Sequence, residues 1–152
     1  MTTEELLKTL KTSQTLLVHN DPLDYQGRAE VTLDGGVKVY WLFGEDGAFI
    51  SVNPETDEMM DFWKAEEDIE REEDVVGVGY RGENYELSYE DKGSVTKVEG
   101  DVPVEEGEVF IFQDYENESG ALVRTVQNET TGDEQSYTGS VLAEEEVTLV
   151  ED

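Results

Sequence analysis

Along most of this chain apolar side chains recur at every second position in short runs, and each run ends in residues that favour tight turns. Residues 15–19 form the first such run, closed by Asn20-Asp21-Pro22. Ala29, Val31 and Leu33 alternate with polar neighbours, Asp34-Gly35-Gly36 supplies hairpin chemistry, and residues 37–43 return as the next strand. Gly44-Glu45-Asp46-Gly47 turns the chain before residues 48–52. Asn53-Pro54-Glu55-Thr56-Asp57 turns it again before residues 59–63 close a meander. The second half repeats the style. Tyr85, Leu87 and Tyr89 alternate, Asp91-Lys92-Gly93 reads as a turn, and Val95 and Val98 follow. Residues 109–112, then Ala121, Val123 and residues 125–127, then Tyr137, Val141, Leu142 and residues 147–150 supply the remaining strands.

A helical period occurs once, at the start. Thr2 with Glu5 three residues on reads as a capping box, Glu4 and Glu5 against Lys8 and Lys11 match the helix dipole, and Leu6, Leu7 and Leu10 share one face. The expected fold is therefore mostly β, as antiparallel sheets or small barrel-like halves of short strands and tight turns, with one N-terminal helix over residues 2–11. Residues 1–152 are read as one domain. Its sub-halves, 14–63 and 75–150, are joined by the acidic segment 64–74, read as a solvated linker or a frayed helical turn. A Tyr-x-Gly echo at Tyr25/Gly27, Tyr80/Gly82 and Tyr137/Gly139 hints at duplication.

Charge limits the partners. The chain carries 39 acids against 10 bases, a net charge of −29, which repels nucleic-acid phosphates and anionic lipids. Direct nucleic-acid binding is not expected. The acidity fits a salty cytoplasm, a basic protein partner, or mimicry of a nucleic-acid backbone. No apolar run is long enough to cross a bilayer, no signal peptide is recognised at the N-terminus, and membrane insertion is not expected. The absence of cysteine excludes disulfides, thiolate metal sites and a Cys nucleophile, and fits a cytoplasmic location.

The candidate motifs for chemistry are weak. Gly77-Val78-Gly79-Tyr80-Arg81-Gly82 matches the dinucleotide fingerprint, but residues 84–90 alternate like a strand where a helix must follow, so the glycines read as a turn or bulge. His19 is the lone histidine; Ser13 and Asp21 are near it in sequence without a nucleophile elbow. The carboxylate pairs Asp21/Asp24 and Asp57/Asp61 and the run 66–74 lack EF-hand spacing, and no pair stands out for glycoside hydrolysis. No catalytic, cofactor or metal residues are assigned. The aromatic run Tyr40, Trp41 and Phe43 offers either a doubly buried strand or an interaction face.

The order of features resembles a known family. Tyr25-Gln26-Gly27, Tyr40-Trp41-Leu42-Phe43 and Gly47-Ala48-Phe49-Ile50-Ser51-Val52 are followed by Gly79-Tyr80-Arg81-Gly82-Glu83-Asn84-Tyr85-Glu86-Leu87. Val98-Glu99-Gly100-Asp101, Asp114-Tyr115 and Tyr137-Thr138-Gly139 complete the series. This pattern resembles the prokaryotic domain-of-unknown-function family numbered 4178. The resemblance implies a mostly-β accessory protein, associated with membrane-stress or polyamine-related proteins and without established catalytic residues. The extreme acidity departs from the family's usual look and argues against contact with anionic membranes.

The functional expectation is a non-enzymatic accessory or protein-interaction module with an acidic surface and a basic protein partner. Its interaction surface is expected at Tyr40, Trp41, Phe43, Glu66, Glu67, Glu70 and Glu73. A nucleic-acid-mimicking inhibitor of a basic DNA-binding protein and a carboxylate-pair hydrolase are the alternatives; oligomeric state is left open. Self-repulsion at this charge predicts a melting temperature that rises with added salt. A rise continuing into molar salt marks adaptation to a salty medium, whereas a plateau by about 0.2 M, where Debye screening is largely complete, marks a binding role.

Overall fold

The computed structural model describes residues 2–71 and 77–150. Helix α1, Thr3–Thr9, begins at its expected cap, with the Thr2 hydroxyl accepting the Glu5 backbone N–H at 3.2 Å. The Thr3 N–H and hydroxyl both donate to Asp57 Oδ1, at 3.1 and 2.8 Å, which ties the helix start to the turn at residues 54–57. The helix is shorter than the sequence suggested, because Leu10 is already extended.

Twelve strands follow among the described residues: β1 (Thr15–Val18), β2 (Asp21–Leu33), β3 (Lys38–Gly44), β4 (Phe49–Asn53), β5 (Glu58–Lys64), β6 (Glu70–Arg71), β7 (Gly77–Tyr80), β8 (Glu83–Gly100), β9 (Val109–Glu116), β10 (Leu122–Asn128), β11 (Glu134–Leu142) and β12 (Val147–Leu149). Strands β2 to β5 form one antiparallel meander and β8 to β11 a second. The meanders join twice, β2 to β8 and β5 to β11, so eight strands close into an antiparallel barrel. Closure pairs the edges that each meander alone would leave exposed.

Both seams run through glycine. Gly27 stands opposite Gly100, and a Cβ on Gly27 would lie 2.3 Å from the Glu99 carbonyl oxygen. Gly139 stands opposite Phe62, and a Cβ there would lie 1.9 Å from the Asp61 carbonyl oxygen. The strands approach too closely for any side chain at these points. Register shifts at Tyr25/Gly27, Glu30/Val31 and Leu87/Tyr89 bend β2 and β8, which lets each long strand serve both the barrel and its outer extension.

Alternation sorts side chains between the lumen and two outer clusters. Ala29, Val31, Val39, Trp41, Phe43, Phe49, Phe62, Phe110, Phe112, Val126 and Tyr137 form the inner core. Trp41 is its hub, with ring centroids 5.3 Å from Phe49 and 5.9 Å from both Phe110 and Phe112. Outside, Leu6 and Leu10 of α1 pack with Leu16, Val18 and Val147 on Leu42, Ile50, Val52 and Met59 of the first meander. On the second meander, Ala65 and Ile69 pack on Val78, Tyr80, Tyr85, Tyr115 and Val123.

Several expectations are corrected by long-range pairing. Asp91-Lys92-Gly93 is not a turn: β8 runs through it, with Gly93 paired to Leu33 on one side and Phe110 on the other, so ladder bonds on both edges override local turn preference. The turn placed at Asn20-Asp21-Pro22 falls at His19-Asn20, whose φ values of 51° and 69° make the tight hairpin while Asp21 opens β2. The glycine-rich motif, by contrast, is the turn it was expected to be: β7, then Arg81-Gly82 at φ 50° and 79°, then β8. The described part of the acidic segment is solvated, as expected, with Glu66, Glu67, Asp68 and Glu70 exposed, but it is not helical and its backbone is tied to neighbouring strands. The Ala65 N–H donates to the Ser136 carbonyl at 2.9 Å, the Glu66 N–H to the Tyr80 hydroxyl at 3.2 Å, and Glu70–Arg71 pair with β7. The Tyr-x-Gly echo lands in β2, at the β7–β8 turn and in β11, which are not equivalent places in the two meanders.

The expected aromatic face is also corrected. Trp41 and Phe43 are 2% and 3% exposed inside the barrel, and Tyr40 is half-buried on the outer side under the α1 cluster. Large rings on both faces are buried because helix and strands cover β3 from outside while the closed barrel covers it from inside. Glu66, Glu67 and Glu70 are exposed on the far side, with Glu66 and Glu67 both paired to Arg81; Glu73 lies outside the described residues.

The seam geometry gives a direct prediction. Gly139→Ala destabilises the fold by roughly 1–3 kcal/mol, the usual cost of overpacking. Gly35→Ala, whose added carbon meets nothing within 4 Å, shifts stability by no more than about 0.5 kcal/mol. Urea denaturation of the two variants checks the difference.

Candidate ligand site in the barrel

The alternation that fills the lumen also places charge in it. On β10, Leu122, Arg124 and Val126 share the inward face; on β9, Phe110, Phe112 and Asp114 do. Arg124 Nε and Nη2 donate to the two Asp114 carboxylate oxygens at 2.6 and 2.9 Å, and the two side chains are 1% and 4% exposed. The guanidinium lies between two rings, 4.1 Å from the Phe62 centroid and 4.7 Å from that of Phe112. Its remaining nitrogen, Nη1, is buried without a partner among the described residues.

Such a pair is a poor source of stability. Desolvating two ions offsets most of their attraction, and an unpaired buried donor costs about 1–3 kcal/mol more. Its position suggests a use instead. A cavity of about 350 Å³ opens at this end of the barrel, with Arg124, Asp114 and Ser51 among its lining. Leu33, Val39, Met60, Phe112 and Leu122 give it apolar walls, and Glu58, Glu116 and Tyr89 also line it. The Tyr89 ring lies 6.1 Å from Phe112 and its hydroxyl donates to Asp91; burial first, then that hydrogen bond, hold the phenol's pKa well above its usual value. An apolar cavity with a few convergent polar groups is the common form of a small-molecule site.

The opposite end holds a second cavity of similar size. There the connection between β8 and β9 folds over the opening and buries Val104 in the core, leaving about 400 Å³ lined by Trp41, Phe43, Phe49 and Tyr137. Burial raises the Tyr137 phenol's pKa. Trp41 Nε1 is the other buried polar side-chain atom without a partner among the described residues. A broader concavity of about 910 Å³ runs along β8 and the β9–β10 turn, but it is an open trough in which Leu87 is the one apolar lining residue.

A third arrangement involves His19, whose partners come from across the chain. Its Nε2 lies 3.2 Å from Ser140 Oγ and its Nδ1 2.5 Å from Glu146 Oε2, while Ser13 and Asp21 take no part. The order of groups is that of a serine relay, but the proton runs the wrong way. Ser140 Oγ donates at 2.6 Å to Asp61 Oδ1, which also accepts the Ser140 N–H at 2.9 Å. The Trp63 indole donates to Asp61 Oδ2 at 2.8 Å. A hydroxyl has one proton, so Ser140 accepts from the imidazole rather than giving to it, the reverse of nucleophile activation. The cluster clasps the β1–β2 turn, β11 and the turn before β12. Asp57 and Asp61 do not form a pair, since Asp57 holds Thr3 and Asp61 holds Ser140 and Trp63. Among the described residues no three His, Asp or Glu side chains converge as a metal site.

No family model matches the chain, and no curated protein or solved structure shows significant similarity to it.

The Arg124–Asp114 pair yields a paired test. Arg124→Leu strands a buried carboxylate and costs about 3–5 kcal/mol, whereas the Arg124→Leu/Asp114→Val double variant recovers most or all of that loss. Chemical denaturation of both variants against the parent measures it.

Proposed function

We propose that this chain is a non-enzymatic binding protein that takes a small amphipathic molecule into the Arg124 end of its barrel. One observation carries the reading: an arginine sandwiched between two phenyl rings, with one nitrogen unpartnered, lines an apolar cavity in a closed barrel. Barrels of eight strands have lumens just wide enough for packed side chains or one small ligand. A polar group kept there at a cost to stability favours the second use. The direction of the Ser140 hydrogen bond supports a role in binding rather than hydrolysis. An accessory role of the kind implied by the family numbered 4178 is compatible with this reading. An aromatic docking face is not part of it, because Trp41 and Phe43 are inside the barrel.

Toluene is a suitable first probe, since it tests the cavity without asking for a particular polar group. At saturation it raises the melting temperature by mass action. It also shifts the NMR signals of Val39, Leu122 and Val141, which line the cavity. Leu122→Trp fills the space and removes both effects. Shifts confined to the outer clusters, or none, overturn the reading.

A further inference from the structure

We infer that the polar end of the ligand is a neutral hydrogen-bond acceptor, a carbonyl of the ketone, ester or amide class, and that carboxylates are rejected. The inference rests on the binding role proposed above and concerns what the cavity selects.

The first support is the kind of group the lumen lacks. Both buried polar side-chain atoms without partners among the described residues, Arg124 Nη1 and Trp41 Nε1, are N–H donors. Asp114 spends both oxygens on the Arg124 fork, so the pair's own acceptor is already engaged. The interior is short of acceptors, and a ligand that supplies one relieves a standing cost. Phe62 and Phe112 pack against the guanidinium carbon and supply it with no hydrogen-bond acceptor, so Nη1 is left for one from a ligand.

The second support is the sign of the surroundings. Asp114 cancels the charge of Arg124, so the floor of the cavity offers a donor without net positive charge. Glu58 and Glu116 line the same cavity and are exposed, which makes its approach negative. A carboxylate must pass these acids and shed its water for a cation that is already matched. A cationic head faces the opposite problem at the floor, where Arg124 carries the same charge and offers donors rather than acceptors. A neutral carbonyl meets neither obstacle, and the apolar walls accept the body attached to it.

Three probes of nearly the same shape separate these cases: ethylbenzene, acetophenone and benzoate, titrated into the full chain by ligand-observed NMR. Acetophenone is expected to bind about tenfold or more tightly than ethylbenzene, the scale of a hydrogen bond from a charged donor. It is expected to exceed benzoate by a similar factor. In the Arg124→Leu/Asp114→Val variant the acetophenone-to-ethylbenzene ratio falls to about threefold or less. If that variant does not fold, Arg124→Met/Asp114→Leu, which likewise removes the donor together with its partner, carries the same expectation. Equal binding of ethylbenzene and acetophenone overturns the inference and leaves the binding role standing, as does benzoate binding as well as acetophenone. Binding by none of the three removes the binding role, and the inference with it.

Discussion

The whole structure depends on two strand pairings between residues far apart in the chain, β2 with β8 and β5 with β11. Each meander alone is a curved four-stranded sheet with two open edges, which invite pairing with another chain. Joined at both edges, the two faces become one lumen, and the aromatic rings around Trp41 gain partners from both meanders. The join has a strict geometric requirement, since glycines at 27, 100 and 139 let backbones meet where a side chain cannot fit. It also has a kinetic cost. Glu30 meets Lys97 and Phe62 meets Gly139 only after long loops close, so folding is governed by non-local contacts.

Closure creates the setting for the Arg124–Asp114 pair. In an open sheet both side chains would lie in water and their attraction would be small. Inside the barrel they are desolvated, forked and flanked by rings, which fixes the guanidinium in one orientation. A fixed donor at the end of an apolar space is what selective recognition needs, because little ordering remains to be done when a ligand arrives. The opposite end, where Val104 packs into the core, has no comparable charged group among its buried lining residues.

Local features were readable in the sequence and distant ones were not. The period of two, the Asp34-Gly35-Gly36 hairpin, the Thr2 cap and the failure of the glycine motif as a nucleotide loop each depend on a few neighbouring residues. The interior placement of Trp41 depends on closure, and the partners of His19 depend on β11 lying beside the β1–β2 turn. One signal for the buried pair was present. Arg124 falls in phase with Leu122 and Val126, and Asp114 in phase with Phe110 and Phe112, so two charges of opposite sign occupy apolar positions of separate strands. Such a coincidence is informative only when the strands are known to be neighbours, and that pairing becomes visible with the register Arg124 to Asp114.

The acidity that dominates the composition takes almost no part in the interior. Among the described residues the buried acids are Asp61 and Asp114, and each accepts hydrogen bonds on both carboxylate oxygens, the first from Ser140 and Trp63 and the second from Arg124. The excess negative charge is therefore a property of the surface, where water and ions screen it. There it has a structural consequence. Among the described residues the sheet outside the barrel ends in β6 and β12, two and three residues long, and both edges sit beside acids: Glu70 in β6 itself, and Glu144, Glu145 and Glu146 just before β12. Short edges bordered by like charge discourage the addition of a second chain. A barrel that has hidden its inner edges by closure thus keeps its outer ones unattractive by charge, while the one ion pair buried in its core is balanced.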